Sequence, residues 1–203
     1  MKVLIINYGL GNLASVRRAF EECGADVLVS DRPEDLGEAE RIVLPGVGAF
    51  PDGMANLHAA GWPEKMRQVL QNSSVQLLGI CLGMQLLAEQ GEEGSLTPGL
   101  GLISGTVRRL RSPTGERIPH VGWNEVHPAQ SSTLLSGINA GTDFYFVHSY
   151  HFDAANQSSV LATTPYCGTF ASVVREGNVW GTQFHPEKSA KPGFRLIRNF
   201  LAR

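Results

Sequence analysis

The sequence predicts an α/β protein built on an open, mostly parallel sheet flanked by helices, with an added antiparallel layer. The first half of the chain supports the parallel part, because apolar runs alternate with segments whose apolar residues recur at helical spacing. Parallel strands need crossover segments between them, and helices usually provide these. The second half supports the antiparallel layer, because short apolar segments follow one another between turn residues. No repeat or low-complexity linker interrupts residues 1–203, so a single domain is expected.

Local signals define the elements of the first half. Residues 3–6 (VLII) form an apolar run with β-branched members, which suits a strand buried on both faces. Asn12 can cap the next helix and Gly24 can end it, because asparagine accepts from first-turn amides and glycine tolerates a left-handed terminus. Further strands are expected at 25–29, 41–44 and 75–80, and helices at 52–60, 63–71 and about 82–90.

In the second half of the chain, turn residues separate short segments that have the length of strands. Such spacing favours strands that extend the parallel sheet in antiparallel fashion. These strands are expected at about 104–111, 118–126, 143–148, 158–163, 168–175 and 178–184, and a final helix near 193–202.

Composition narrows the class of protein. The formal net charge of −2 and the isoelectric point of about 6.3 do not favour nucleic acid or an anionic membrane as a partner. Cys23, Cys81 and Cys167 are too scattered for a disulfide framework or a metal site, and neither a metal nor a cofactor is expected. The first apolar run is far shorter than a secretory signal, and no segment approaches the roughly 20 apolar residues of a membrane span. A cytoplasmic location is therefore expected.

The sharpest chemical signal is Gly79-Ile80-Cys81-Leu82-Gly83, where a buried strand runs into a helix. This is the cysteine form of a nucleophile elbow, a strained turn that lifts the nucleophile above the sheet edge. The glycines remove Cβ atoms that would collide, the helix N-terminus favours a thiolate, and the N–H of Leu82 would face a developing oxyanion. A lone cysteine is more often a small buried hydrophobe, as we interpret Cys23 and Cys167. The flanking glycines favour Cys81 as a nucleophile instead.

The best candidate for its base is His185, which is followed by Pro186 and Glu187. Proline keeps the preceding residue extended, and residues two apart in extended chain face the same side. Glu187 can therefore orient the imidazole through one nitrogen while Cys81 uses the other.

The remaining histidines are less well placed for this role. His58 is expected on the outer face of a helix and His127 in a surface turn. His120, His148 and His151 lie on expected strands near aromatic residues, where they could line a pocket or an interface.

These motifs carry a family resemblance. GICLGMQ at 79–85, followed about a hundred residues later by FHPE at 184–187, resembles the class I, triad-type glutamine amidotransferases, whose fold is flavodoxin-like. Within that family the chain is similar to the glutaminase subunits of histidine biosynthesis. The strings that carry this similarity are NYGLGNLASV (7–16), LPGVGAFPDGM (44–54), GICLGMQLL (79–87), PHVGWNEV (119–126), YFVHSYH (145–151) and GTQFHPEKS (181–189).

The resemblance implies roles for individual residues. Cys81 would attack the side-chain amide of glutamine to give a thioester and ammonia, His185 would shuttle the proton, and Glu187 would orient His185. Residues implied in substrate binding or the oxyanion hole are Gly46, Val47, Gly48, Leu82, Gln85, His148, Ser149 and Tyr150. Residues implied at a subunit interface are Asn12, Trp123 and Lys188.

The resemblance also implies a partner. Ammonia would pass through a tunnel into a (β/α)₈-barrel cyclase subunit in an obligate heterodimer, where imidazole glycerol phosphate and AICAR are formed. Ammonia released into water would be protonated and would lose its nucleophilicity, so we expect glutaminase activity to depend on docking.

Three alternatives remain open at this level. The chain could serve another amidotransferase partner, as in the anthranilate, aminodeoxychorismate or pyridoxal-phosphate systems. It could be a cysteine peptidase or a γ-glutamyl hydrolase with the same elbow. It could also be a non-catalytic scaffold, which would be expected to lack Cys81, His185 or Glu187, yet all three are present.

Overall fold

The computed structural model describes residues 1–113 and 115–202. It confirms the mostly parallel α/β sheet, with helices on both faces and an antiparallel extension. The strands are β1 (Lys2–Ile6), β2 (Asp26–Ser30), β3 (Arg41–Leu44), β4 (Gln76–Ile80), β5 (Gln90–Gly91), β6 (Thr97–Pro98), β7 (Gly105–Arg109), β8 (His120–Pro128), β9 (Thr142–His148), β10 (Tyr150–Ala154), β11 (Val160–Pro165), β12 (Thr169–Glu176) and β13 (Val179–Thr182). The α-helices are α1 (Leu13–Glu22), α2 (Phe50–Ala59), α3 (Trp62–Val69), α4 (Leu82–Leu86) and α5 (Ala190–Leu201). Short 3₁₀ turns lie at Pro33–Glu38, Gln157–Ser159 and Pro186–Lys188.

The parallel part of the sheet runs in the order β2, β1, β3, β4 and β13. Beyond β13 the sheet continues through β12, β10 and β7, which pair in antiparallel fashion, and reaches β5 and β6. Strand β11 branches from β12 and pairs with β8, which pairs in turn with β9. The second half of the chain therefore supplies both the last parallel strand and the antiparallel layer.

The central strands are buried on both faces, as their unbroken apolar runs predict. In β1, Leu4 packs into the core beneath α2, α3 and α4, whereas Ile5 packs into the core beneath α1 and α5. Successive side chains of a strand point to opposite faces, so one apolar run supplies both cores. Asn12 caps α1 as expected, since its Oδ1 accepts from the N–H of Ser15 at 3.3 Å.

The structure differs from the sequence-based expectation at several boundaries. Helix α4 ends at Leu86 rather than near residue 90, because Gln90 and Gly91 pair with β7 and β6 instead. A separate strand, β10, follows the expected strand of residues 143–148, and the last helix begins at Ala190 rather than 193. These differences arise from tertiary pairing, which local propensity does not report.

His127 was expected in a surface turn, but it lies within β8. There it is half-exposed, and its Nε2 forms a hydrogen bond with Oε2 of Glu125 at 3.1 Å. His58 lies on the exposed side of α2, as expected. Among the described residues, no helix is both long and apolar enough to cross a membrane.

The elbow between β4 and α4 depends on close backbone approach at Gly83. A Cβ placed on Gly83 would overlap the carbonyl of Leu44 in the neighbouring strand β3. We expect Gly83→Ala to lower the free energy of unfolding by about 3 kcal/mol or more, measured by urea denaturation, because a backbone carbonyl cannot move aside cheaply.

Gly37→Ala is the matched control, because a Cβ at that position meets nothing within 4 Å and its φ is not positive. We expect it to change the free energy of unfolding by no more than about 0.5 kcal/mol. Equal effects of the two substitutions would contradict the close approach.

Candidate active site

Cys81 lies on the strained turn between β4 and α4. Its φ of 55° and ψ of −109° are unusual for a residue other than glycine. Gly79 permits the turn, because a Cβ there would lie 2.6 Å from the carbonyl oxygen of Gly83. Cys81 is only 6% exposed, and its N–H donates to the carbonyl of Thr182 at 2.8 Å. The elbow therefore fixes the thiol at the carboxyl edge of the sheet, beside the end of β13.

His185 follows the end of β13 and lies on the same edge. Its Nδ1 is 2.8 Å from Oε1 of Glu187, and the two side chains are 2% and 1% exposed. Its backbone N–H donates to the carbonyl of Tyr145, and its own carbonyl accepts from the hydroxyl of Ser189. The Ser189 hydroxyl also accepts from the N–H of Tyr145, so the segment is fastened to β9. Hydrogen bonds thus hold His185 at both its backbone and its imidazole ring.

Burial alone would lower the pKa of His185, but hydrogen bonding and charge interactions with Cys81 and Glu187 outweigh it and raise the pKa to about 10. The imidazole is therefore protonated near neutral pH. Its Nε2 is buried and makes no hydrogen bond of good geometry, so the interaction with Cys81 is looser than the 2.8 Å bond to Glu187. Such loose contacts are common in unliganded active sites and tighten when a substrate binds.

Two further groups contact the sulfur. Sγ of Cys81 donates to the carbonyl of Val147 at 3.7 Å, and Nε2 of Gln183 donates to Sγ at 3.8 Å. Gln183 was not among the residues singled out from the sequence. The spacing of residues 183, 185 and 187 was an available signal, because residues two apart in an extended chain face one side. In the structure the segment forms a 3₁₀ turn at Pro186–Lys188 and is not extended there as expected.

Gln85 lies one helical turn beyond Cys81 and is buried. Its Nε2 donates to the carbonyl of Tyr150 at 2.8 Å and to Oε1 of Gln183 at 3.0 Å. The predicted substrate residues Gln85 and Tyr150 are therefore in contact, and Gln183 connects them to Cys81.

Both ring nitrogens of His148 form hydrogen bonds. Its Nδ1 donates to the carbonyl of Tyr150 at 2.8 Å, and its Nε2 therefore accepts from Nδ1 of His120 at 3.0 Å. Nε2 of His120 in turn accepts from the side-chain amide of Asn124 at 3.2 Å. Burial lowers the pKa of His148 to about 3 and that of His120 to about 4, so both imidazoles are neutral. Ser149, between His148 and Tyr150, is half-buried.

The predicted oxyanion segment lies against the start of α4. A Cβ on Gly46 would lie 2.5 Å from the hydroxyl of Tyr8 and 2.9 Å from Cβ of Leu82, so only glycine fits. Leu82 opens α4, and a first-turn N–H has no acceptor within its own helix. Val47 is 41% exposed, and Gly48 has a φ of 117° that favours glycine. The structure thus brings Gly46 and the N–H of Leu82 together beside Cys81.

Tyr8 is a second residue of this site that the sequence analysis missed. Its hydroxyl is buried and has no hydrogen-bond partner in the part of the chain that the structure describes. Burial is the main cause that raises the pKa of the Tyr8 hydroxyl well above its usual value, and the nearby Cys81 is the second cause. The hydroxyl therefore remains neutral. No sequence signal distinguishes Tyr8 from an ordinary core tyrosine.

The predicted interface residues fall into two groups. Trp123 is 54% exposed, and its ring packs against the ring of Tyr145 in a T-shaped arrangement with the ring centres 6.1 Å apart. Nζ of Lys188 lies 5.9 Å from the centre of the Tyr145 ring. Val121 is 57% exposed and shares the outward side of β8 with Trp123. Asn12 lies at the start of α1, where its side chain serves as the helix cap.

His151 shows that spacing alone does not define the base. It also has a carboxylate two residues on, Asp153, but Arg108 pairs with that carboxylate at 3.4 Å. Burial is the dominant effect on His151 and lowers its pKa, whereas the net shift of the His185 pKa is upward. Among residues 1–113 and 115–202, no group of three or more His, Cys, Asp or Glu side chains is arranged to hold a metal ion.

A cysteine on a strained strand-to-helix turn, a histidine from the adjacent parallel strand and a buried acid two residues on define a class of protein, the α/β enzymes with a Cys–His–acid site. Residues 4–203 match the family described as glutamine amidotransferase class-I. A crystal structure of a glutamine amidotransferase has a TM-score of 0.76 with this chain at 22% identity, over 98% of this chain and 96% of the other. The glutaminase domain of Trypanosoma brucei CTPS has a TM-score of 0.71 at 20% identity, over 100% and 92%. At these identities the two structures show the fold alone.

Relatives with higher identity narrow the family. The chain is 46% identical to the imidazole glycerol phosphate synthase subunit HisH of Moorella thermoacetica, over 98% of this chain and 93% of that protein. It is 45% identical to the same subunit of Chromobacterium violaceum, over 100% and 98%. It is 42% identical to subunit HisH 1 of Methanococcus maripaludis, over 98% of each. The chain belongs to the class I glutamine amidotransferases and, within them, to the HisH glutaminase subunits of imidazole glycerol phosphate synthase, which act in histidine biosynthesis.

The raised pKa of His185 predicts a pH-dependent contribution to stability. Glu187→Gln removes one of the two partners that favour the imidazolium. We expect the wild type to be more stable by roughly 1.5–3 kcal/mol at pH 6, because a hydrogen bond to a charged group is lost. This difference should be fully present below about pH 6.5 and decline as the pH rises through about 10, where the folded chain releases the proton. Urea denaturation between pH 6 and 10 measures it.

Glu125→Gln is the control, since the contact of Glu125 with His127 is also between a carboxylate and an imidazole two residues apart but is about half-exposed. We expect it to change stability by no more than about 1 kcal/mol. A wild-type advantage over Glu187→Gln that grows with pH would contradict the assignment of the raised pKa.

Proposed function

We propose that Cys81 is the nucleophile of the glutaminase reaction, that His185 transfers the proton and that Glu187 orients His185. The observation that carries this proposal is the arrangement of the three side chains. A cysteine on a strained elbow interacts with an imidazole whose other nitrogen is held at 2.8 Å by a buried carboxylate. Residues 1–203 would act as one glutamine amidotransferase domain.

The reaction follows from this geometry. Nε2 of the protonated His185 holds the proton that the Cys81 thiol gives up, and the sulfur attacks the side-chain carbonyl carbon of glutamine. When the tetrahedral intermediate collapses, the C–N bond breaks and Nε2 returns the proton to the leaving nitrogen, which departs as ammonia. Water then attacks the thioester while Nε2 accepts its proton, and the sulfur leaves as glutamate is released, so the proton remains on Nε2. Glu187 keeps the imidazole in one orientation throughout.

The oxyanion needs hydrogen-bond donors on one side of the carbonyl. The N–H of Leu82 is free to act because it opens α4, and the peptide of Val47 would supply the second donor. Gly46 and Gly48 allow this segment to approach α4 and to turn.

The amino-acid end of glutamine would bind beside Gln85, Ser149 and Tyr150. Gln85 and Tyr150 are already hydrogen-bonded to each other, so this part of the site is largely formed before the substrate binds. The neutral His148 would position Tyr150 through its carbonyl rather than supply a charge.

The ammonia would pass to a partner subunit, a (β/α)₈-barrel cyclase that forms imidazole glycerol phosphate and AICAR, in the cytoplasm. The names of the relatives are those of a subunit and so imply a second chain. The exposed apolar side chains of Val121 and Trp123, with Lys188 beside them, support a docking surface there. Asn12 would be a further contact at the start of α1.

The nucleophile is tested by Cys81→Ala in the complex with the cyclase. We expect glutamine-dependent synthesis to be abolished, because no thioester can form, while ammonia-dependent synthesis remains within about twofold of wild type. Product formation from each nitrogen source measures the two activities.

Cys23→Ser is the matched control, because its sulfur lies at the end of α1 and contacts the carbonyl of Phe194 rather than a residue of the proposed site. It should support glutamine-dependent synthesis at the wild-type rate. Glutamine-dependent synthesis by Cys81→Ala would refute the assignment.

The docking surface is tested by titrating the cyclase, with its ligand, into this chain. We expect the isolated chain to hydrolyse glutamine slowly and the rate to rise on docking, because the glycine-rich segment of residues 45–48 can hold two peptide orientations. Trp123→Ala should shift the titration to roughly tenfold or more higher cyclase concentration, since buried tryptophans contribute most to interfaces. Glutamate release measures the rate.

Leu96→Ala is the control for this titration, because Leu96 is 65% exposed and lies outside the proposed surface. It should leave the titration midpoint unchanged. Full glutamine turnover by the isolated chain would count against activation by the partner.

A further inference from the structure

We propose that Gln183 is a positioning residue for the nucleophile, which stabilises the Cys81 thiolate by donating an N–H from its side-chain amide. This inference rests on the proposed role of Cys81. It deepens that role by identifying a residue that acts on the sulfur without contacting the substrate.

The orientation of the Gln183 amide is fixed by an unambiguous acceptor. The backbone carbonyl of Tyr150 can only accept, so the group of Gln85 that faces it at 2.8 Å must be the nitrogen. The same nitrogen lies 3.0 Å from the side chain of Gln183, which must therefore present its oxygen to Gln85. The Gln183 nitrogen is then left facing Sγ of Cys81, at 3.8 Å.

Besides His185, the carbonyl of Val147 and the amide of Gln183 contact the sulfur, and these two groups suit opposite protonation states. The carbonyl of Val147, at 3.7 Å, accepts from the thiol but has nothing to offer a thiolate. The N–H of Gln183 is a weak partner for a thiol and a strong one for a thiolate, because hydrogen bonds to ionised acceptors are roughly twice as strong. Loss of the thiol proton thus exchanges the contact with Val147 for the contact with Gln183.

Burial makes this contact effective. Gln183 is 0% exposed and Cys81 is 6% exposed, so water does not compete for the sulfur. The backbone N–H of Gln183 donates to the carbonyl of Ser172 at 2.9 Å, which fastens the residue to β12. The amide is therefore held at its backbone by one strand and at its oxygen by Gln85.

The proposal is tested by alkylation of Cys81 with iodoacetamide across pH 5–10, in Gln183→Met and Gln183→Glu. Mass spectrometry of the peptides separates Cys81 from Cys23 and Cys167. Methionine fills similar space without a donor, so we expect the half-maximal pH of Cys81 alkylation to rise by about one unit. Glutamate places an oxygen against the sulfur while still accepting from Gln85, so the rise should be larger.

Glutamine hydrolysis in the complex with the cyclase provides the second readout. We expect kcat to fall about tenfold or more in both variants, with KM for glutamine changed less than about threefold, because only the nucleophile is affected. Ser172→Ala is the control, since it also removes a buried polar group on the adjoining strand. It should leave both the alkylation profile and kcat at wild-type values.

Wild-type alkylation profiles in both Gln183 variants, or a rise in KM alone, would overturn the proposal. If Gln183→Met fails to fold, as judged by thermal unfolding, the profile of Gln183→Glu decides. Alkylation does not require glutamine turnover, so its result stands apart from the proposed function. Failure of that function would appear instead as glutamine-dependent synthesis by Cys81→Ala.

Discussion

The parallel pairing of β4 with β13 is the constraint on which the site depends. The two strands are adjacent, and Ile80 pairs with Thr182 at their carboxyl ends. Each chain leaves the sheet at the same edge, so the residues that follow β4 and β13 meet although about a hundred positions separate them. Open α/β sheets bind ligands at this edge for the same reason. The hydrogen bond from the N–H of Cys81 to the carbonyl of Thr182 extends the pairing into the site itself.

The pKa values of the buried histidines are shifted in opposite directions. His185 has a buried carboxylate on one nitrogen and a thiol on the other, so its charged form is favoured despite burial. His148 and His120 have a carbonyl, an amide and each other as partners, which leaves desolvation as the dominant influence and keeps them neutral. One edge of the sheet therefore holds a cationic imidazole, the proposed group for proton transfer, and a neutral pair of imidazoles lies beside it. Protonation of His148 would break the hydrogen bond between the two rings, and protonation of His120 would break the hydrogen bond that its Nε2 accepts from Asn124, so their neutrality is a structural requirement.

Much of this arrangement was predictable from the sequence, because it is local. The glycine-flanked Cys81 predicted a strained turn, and the spacing of His185 and Glu187 predicted their contact, although the segment forms a 3₁₀ turn at Pro186–Lys188 and is not extended there as expected. Both are confirmed by the backbone angles of Cys81 and by the 2.8 Å hydrogen bond. The alternating cores on the two faces of β1 likewise follow from one apolar run.

The rest was not predictable because it depends on contacts between distant segments. The early end of α4 follows from pairing with β7, which no local propensity encodes. The buried hydroxyl of Tyr8, which follows β1, lies in the site because the loop after β3 brings Gly46 next to it. The spacing of Gln183 hinted at a shared face with His185, but its orientation is set by Gln85 and by the carbonyl of Tyr150.

Tyr145 joins the proposed docking surface to the proposed base. Its carbonyl accepts from the N–H of His185, and its own N–H donates to Ser189. Its ring, on the outward side, contacts Trp123 and lies below the ammonium of Lys188. A partner that covers Trp123 and Lys188 would restrain the ring, and the backbone of the same residue would transmit that restraint to the imidazole without any change in the core. Because the contact of Nε2 with Cys81 is loose in the free chain, a small shift of His185 is sufficient to improve it, and docking can raise the rate without assembling a new site.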